Sequence, residues 1–276
     1  MTQAPPSNAT SSSSFYWALK LLPAHKREAM FAVYGFCRVV DDIADGEDRP
    51  EIKLKALESH RQAVENLFQG KPSQMPCVEA LLPVMAQFSL QKDDLLAVID
   101  GMEMDAFDTV VMTDEATFDL YIDRVASAVG RLSNKVFGVS GPDADQLAFH
   151  LGRALQITNI LRDLDEDAGR DRLYVPADLL AAHGVTATTP DAVLNDPNLE
   201  AALQVLAARA ESHYAQAGEA MGQLDRTATR PARMMQAVYS RILVRLKARG
   251  LAHVTEPVRF SKFKKIWLAL RYGVCG

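Results

Sequence analysis

Four polar residues, Gln156, Asn159, Asp163 and Asp167, follow one another at intervals of three, four and four. On an α-helix that spacing brings all four to one face. They are interleaved with Ile157, Ile160, Leu161 and Leu164, which read as core positions. A second stripe has the same make-up: Tyr34, Arg38, Asp41 and Asp45 stand at intervals of four, three and four, flanked by Asp42. Both stripes close an apolar helical pattern, at the end where the helix dipole disfavours anions by about 0.3–1 kcal/mol each. Carboxylates stacked there cost stability unless something cationic binds them. Hard divalent ions take oxygen ligands, and Mg²⁺ commonly combines one or two carboxylates with waters and phosphate oxygens. Two such helices facing each other would hold a small cluster of ions, and the ions would hold a diphosphate. Arg38 and Arg162 can supply forked donors to the same group.

The elements that position these stripes read as helices. One pattern opens at Pro23 and Ala24, runs through "REAMFAVYGFCRVVDDIAD" and stops at Gly46. Further helical patterns cover roughly 51–69, 76–88, 92–107, 115–137, 143–168, 190–222 and 230–249. Gly, Pro and small polar residues break them at "QGKPSQ", "GVSGPDAD", "HGVTATTP" and "TATRP". Strand signals are nearly absent. None of the breaks is long enough for an interdomain linker. The expectation is one all-α domain over residues 12–276, after a Pro/Ser-rich disordered arm at 1–11.

Composition narrows the function classes. The 276 residues carry a net charge of -5, which argues against general nucleic-acid binding. The 48% hydrophobic content is ample for a large core. Cys37, Cys77 and Cys275 are scattered and form no CxxC pair, so a reducing, cytoplasmic setting is expected. No apolar run is long enough to cross a membrane, and the N-terminus lacks the pattern of a signal peptide. The six histidines show no metal-binding spacing, and no GxSxG, P-loop or GxGxxG motif occurs.

"DDIAD" at 41–45 and "DLDEDAGRDRLYVP" at 163–176 resemble the two signature regions of the squalene/phytoene synthases, head-to-head prenyl transferases. The resemblance runs from Ser12 to about Lys265. Within the family, "YIDRVASAVGRL", with Arg124 to Ser127, is most similar to the bacterial branch that makes presqualene diphosphate for hopanoids. The resemblance implies the isoprenoid synthase fold, with helices surrounding a central apolar cavity. It matches Asp41, Asp45, Asn159, Asp163 and Asp167 to metal ligands for two or three Mg²⁺ ions. Arg38, Arg162 and Arg172 match diphosphate-binding arginines, and Ser12 and Ser14 match serines that meet phosphate. Tyr34, Tyr121, Gln156, Tyr174 and Tyr239 match polar residues of the reaction chamber. Some relatives have Glu where this chain has Ala44, one ligand fewer on the first helix, and Asp42 projects differently.

The implied reaction joins two farnesyl diphosphates through a carbocation that water would quench. Phe15, Trp17, Phe31 and Phe36 are candidate walls against water. Loss of a proton closes a cyclopropane. The base is Tyr121, a neighbouring tyrosine or the released diphosphate. No NADPH is expected, because the reaction is expected to stop at presqualene diphosphate. Phytoene synthase, a full squalene or hydroxysqualene synthase, and a helical assembly factor without catalysis are the alternatives. The tail "RFSKFKKIWLALRYG" interleaves basic and aromatic residues, which suits peripheral contact with an anionic bilayer. Oligomeric state is not legible.

Overall fold

The structure is a computed structural model that describes residues 18–255 apart from Leu21. The N-terminal arm, Ser12, Ser14, Phe15, Trp17 and the basic tail from Arg259 lie outside the described residues.

Among the described residues the regular elements are α1 (Ala24–Ala44), α2 (Pro50–Phe68), α3 (Pro76–Glu79), α4 (Leu82–Phe88) and α5 (Lys92–Asp105). Then come β1 (Val110–Val111), α6 (Glu115–Ile122), a π-helical turn (Asp123–Ser127), α7 (Ala128–Phe137) and α8 (Pro142–Ala168). β2 (Arg172–Leu173), α9 (Ala177–Ala182), α10 (Pro190–Leu194), α11 (Leu199–Gln223) and α12 (Arg230–Arg249) complete the chain. Pro50, Pro76, Pro142 and Pro190 each open a helix, where the missing N–H has no intrahelical partner to lose. α7 ends at Gly138, whose φ of 79° lets its N–H return to the carbonyl of Asn134. None of the described helices is long and apolar enough to cross a membrane.

α8 is the axis of the fold. Thirteen of its side chains or backbones are buried, and α7, α11, α12 and the π-helical turn pack around it. Tyr214 of α11 and Thr158 of α8 share a buried hydrogen bond of 2.8 Å. α1 buries Ala29, Met30, Val33, Phe36, Val40 and Ala44, a stripe at helical spacing. Phe36, expected as a chamber wall, is instead wholly inside this core, and Phe31 packs against it half-buried.

Three departures from the sequence expectation bear on the site. The pattern at 190–222 divides at "NDPN", because Pro197 has no N–H and restricts the residue before it. The pattern at 115–137 contains the π-helical turn Asp123–Ser127, which includes Arg124 to Ser127. Two glycines admit this wider turn. A Cβ on Gly101 of α5 would lie 2.6 Å from Val125, and one on Gly152 of α8 would lie 2.8 Å from the Ser127 backbone. Arg153 then donates to Ser127 Oγ at 3.0 Å. Finally, the chain does contain strands. β1 and β2 pair in parallel, Val110 with Arg172 and Val111 with Leu173, too short to leave an alternating pattern. This pairing places Arg172.

Candidate active site

The C-terminal end of α1 gathers cations from several elements. Arg38 reaches back along its own helix to Asp41 at 2.9 Å and Asp42 at 2.7 Å. The guanidinium of Arg172 bonds Asp45 at 2.6 Å, and Arg170 reaches the other oxygen at 3.1 Å. Lys53 of α2 donates to the Ala44 carbonyl at 3.1 Å, and Arg172 approaches it at 3.4 Å. α1 has no basic residue in its own last turn. Lys53, Arg170 and Arg172 therefore answer the dipole and the stacked carboxylates from outside the helix.

The α8 stripe is less well compensated. Arg162 makes two bonds to its neighbour Asp163, one of them at 2.7 Å, and its guanidinium stands 6.0 Å from the Tyr239 ring. No hydrogen bond or ion pair from the described residues reaches the Asp167 side-chain carboxylate. Burial, then the charge of Asp163, pushes the Asp167 carboxyl up to about 7. Burial, then Asp45, pushes Asp41 up to about 6 despite Arg38. Asn159 Oδ1 is buried without a hydrogen-bond partner. Gln156 is half-buried one turn below it on the same helix.

Sequence reasoning missed Asp105, the last residue of α5. It is 5% exposed, and both its oxygens accept tyrosine hydroxyls, Tyr121 at 2.9 Å and Tyr174 at 2.8 Å. The two rings stack with centroids 5.0 Å apart. The Asp105 backbone carbonyl accepts from Arg172 at 3.2 Å. Burial pushes the Asp105 carboxyl up to about 6, against the two tyrosine bonds and Arg172. Burial and the nearby carboxylate raise both tyrosines. Asp105 left no sequence signal beyond an acid ending an apolar helix, since its partners are 16 and 69 residues away. Arg170, on Asp45, was also missed.

Among the described residues no three Asp, Glu, His or Cys side chains gather as a ready-made metal cage. Arg172 stands within the electrostatic reach of Asp41, Asp45, Asp105 and Asp167. Asp42 also shares Arg38 with Asp41 rather than standing apart. Even so, the donor set fits Mg²⁺. Six carboxylates (Asp41, Asp42, Asp45, Asp105, Asp163, Asp167) face four guanidiniums (Arg38, Arg162, Arg170, Arg172), leaving an excess of negative charge. The orphaned Asn159 oxygen is a neutral ligand of the kind such an ion takes.

Below this polar end an apolar cavity of about 110 Å³ opens beside α8, lined by Ala126, Val129, Phe137, Gly152, Leu155 and Met235 among others. Leu155 and Tyr239 pack on the same small cluster as Met234 and Met235. Leu155 and Met235 therefore connect the cavity wall to Tyr239, the ring that Arg162 faces.

Comparisons with known proteins agree with this arrangement. The family model for squalene/phytoene synthase matches residues 8–264. The chain is 46% identical to a presqualene diphosphate synthase of Rhodopseudomonas palustris, over 95% of this chain and 93% of that one. It is 33% identical to a phytoene synthase of Mycobacterium tuberculosis, over 94% of this chain and 86% of that one. A dehydrosqualene synthase crystallised with a ligand superposes with a TM-score of 0.82 at 25% identity, covering 96% of this chain and 92% of the other. The helical architecture is thus the isoprenoid synthase fold, and the protein belongs to the squalene/phytoene synthase family.

Proposed function

We propose that this protein joins two farnesyl diphosphates head to head, giving presqualene diphosphate, one diphosphate and one proton. The observation that carries the reading is the polar end of α8, where Asp167 has no ion-pair partner among the described residues and the Asn159 oxygen is unsatisfied, on the same helix that lines an apolar cavity. Its similarity to presqualene diphosphate synthases supports the product assignment.

Asp41, Asp45, Asn159, Asp163 and Asp167 would hold Mg²⁺. Bound Mg²⁺ would supply Lewis-acid neutralisation of the departing diphosphate. Arg38, Arg162 and Arg172 turn from their carboxylate partners toward diphosphate oxygens and stabilise the charge that builds there. Ser12 and Ser14 add phosphate contacts. Tyr34, Gln156 and Tyr239 line the chamber, which excludes water from the cation.

The base assignment can be sharpened. Tyr121 donates its own proton to Asp105, and burial keeps its hydroxyl protonated. It acts as a base only by passing that proton to Asp105 as it takes one from the substrate. Tyr174 holds the other Asp105 oxygen in place. The released diphosphate is the competing acceptor.

Because the product retains a diphosphate, its second ionisation must be slower than its release; each 1.4 kcal/mol or so gives a tenfold preference. The basic tail from Arg259 would hold the protein at an anionic bilayer from the cytoplasmic side, near its greasy substrate and product. Incubation with farnesyl diphosphate and Mg²⁺, with and without NADPH, tests the reading. Presqualene diphosphate should dominate in both. Squalene with NADPH, or hydroxysqualene without it, would move the chain to another branch, and geranylgeranyl diphosphate as the preferred substrate would make it a phytoene synthase.

A further inference from the structure

The apolar cavity has a neighbour at its far end. A second cavity of about 230 Å³ is polar, lined by Asp94, Arg131, Lys135, Ser140 and Asp145 among others. Asn134 is the one residue that lines both. It lies on α7, is 6% exposed, and donates through Nδ2 to the Ala144 carbonyl of α8 at 2.6 Å. This bond bars the gap between the two helices.

The bar stands where the end of a long isoprenoid would arrive. One broad face of α8 carries Asp163, Asn159, Leu155, Gly152, Ala148 and then Ala144, at steps of three or four. The rise from Asp163 to Ala148 is about 22 Å, and to Ala144 about 28 Å. A diphosphate held at the aspartates therefore sends its hydrocarbon down this face into the apolar cavity, with the Asn134 bar beneath. A further isoprene unit lengthens the hydrocarbon toward the level of the bar.

The two sides of the bar differ in chemistry. Above it, Ser133 is the other polar side chain, and its hydroxyl turns back on the Val129 carbonyl at 2.7 Å, so the lining makes no polar demand. Below it, Asp94 and Arg131 are paired at 2.6 Å, and Arg131 also holds Asp123 at 3.1 Å. A methyl-tipped chain pushed past Asn134 would break its hydrogen bond to the Ala144 carbonyl and displace water from charged groups without replacing their hydrogen bonds.

We propose that Asn134 is a specificity-determining residue, the polar floor that limits the isoprenoid chain this chamber accepts. The inference rests on the reading of the site as a prenyl diphosphate chamber, and it adds the residue that sets the length. Removing the side chain would join the two cavities and lengthen the space for hydrocarbon.

The test compares kcat/KM for geranylgeranyl and farnesyl diphosphates in the full chain and in Asn134→Ala, with products identified by mass. The variant should raise the C20-to-C15 ratio at least tenfold. Asn134→Ser, which leaves a polar hydroxyl on a smaller side chain, carries the same test if the alanine variant fails to fold. Calorimetric binding of the two unreactive thiodiphosphates gives the same ratio without turnover. A wild-type chain that forms no C30 product would overturn the functional reading itself. A wild-type chain that forms it, with folded variants whose ratios of turnover and binding stay within twofold of wild type, would overturn the floor alone.

Discussion

Asp45 on α1 is held by two guanidiniums, Arg170 and Arg172, whereas no ion pair from the described residues reaches Asp167 on α8. The two stripes have almost the same spacing, so the difference comes from what the rest of the fold brings to each. α1 receives Lys53, Arg170 and Arg172 from α2 and the segment after α8. α8 keeps a bare carboxylate and the unsatisfied Asn159 oxygen. The last carboxylate of one stripe is paired and that of the other is left open, which is the asymmetry expected if the open one waits for a ligand.

Substitutions should separate the stripes. Asp41→Asn, Asp163→Asn and Asp167→Asn should each reduce turnover of farnesyl diphosphate at limiting Mg²⁺ by about 100-fold or more, the scale of losing one strong electrostatic contact in a transition state. Near-normal rates in any of them would remove that residue from the ion-binding set. Without metal their stabilities should diverge from that of Asp45→Asn. Removing Asp45 strands the buried Arg172, so the variant should unfold about 2 kcal/mol more easily by urea titration. Asp167→Asn removes a repulsion and should gain up to about 1 kcal/mol. Equal shifts in the two variants would mean that the asymmetry has no energetic content.

The tyrosine pair offers a finer contrast. Tyr121→Phe and Tyr174→Phe each deprive one Asp105 oxygen of its donor and should cost about 1–3 kcal/mol of stability. Only Tyr121→Phe should slow cyclopropane closure, seen in single-turnover measurements. Matching kinetic losses would make both tyrosines positioning residues.

The smallest effect lies at the other end of α8, where His150 and His213 share a hydrogen bond of 2.8 Å between their Nδ1 atoms. Burial, then the charges of His150, Arg153 and Arg209, holds His213 down at about 4 against an ordinary 6.5. Below 6.5 the unfolded chain binds the proton that the folded chain refuses. The stability this neutral pair provides is therefore complete above 6.5 and drains away as pH falls toward 4. Melting temperatures across that window should fall less steeply for His213→Gln than for wild type; identical slopes would disprove the assignment.

Much of this was legible before the fold. The stripes, their helices and the apolar spacing of α1 and α8 follow from periods of three and four, which are local. Asp105 and Arg170 were not legible, because their value comes from partners brought by tertiary contacts. The π-helical turn was hidden for a similar reason: "RVAS" reads as ordinary helix until Gly101 and Gly152 are placed against it. The histidine pair, 63 residues apart in sequence, shows no spacing at all.

The Arg172–Asp45 contact also has a timing. Its partners are separated by 127 residues. At synthesis rates of roughly 5–20 residues per second, Arg172 is made about 6–25 s after Asp45. Through that interval the end of α1 lacks the guanidinium that later anchors it, and of its cations only Arg38 and Lys53 have been made. The two-residue β1–β2 pairing that delivers Arg172 therefore marks the moment in the ribosome's schedule when the first stripe stops being a loose polyanion and becomes half of a chamber.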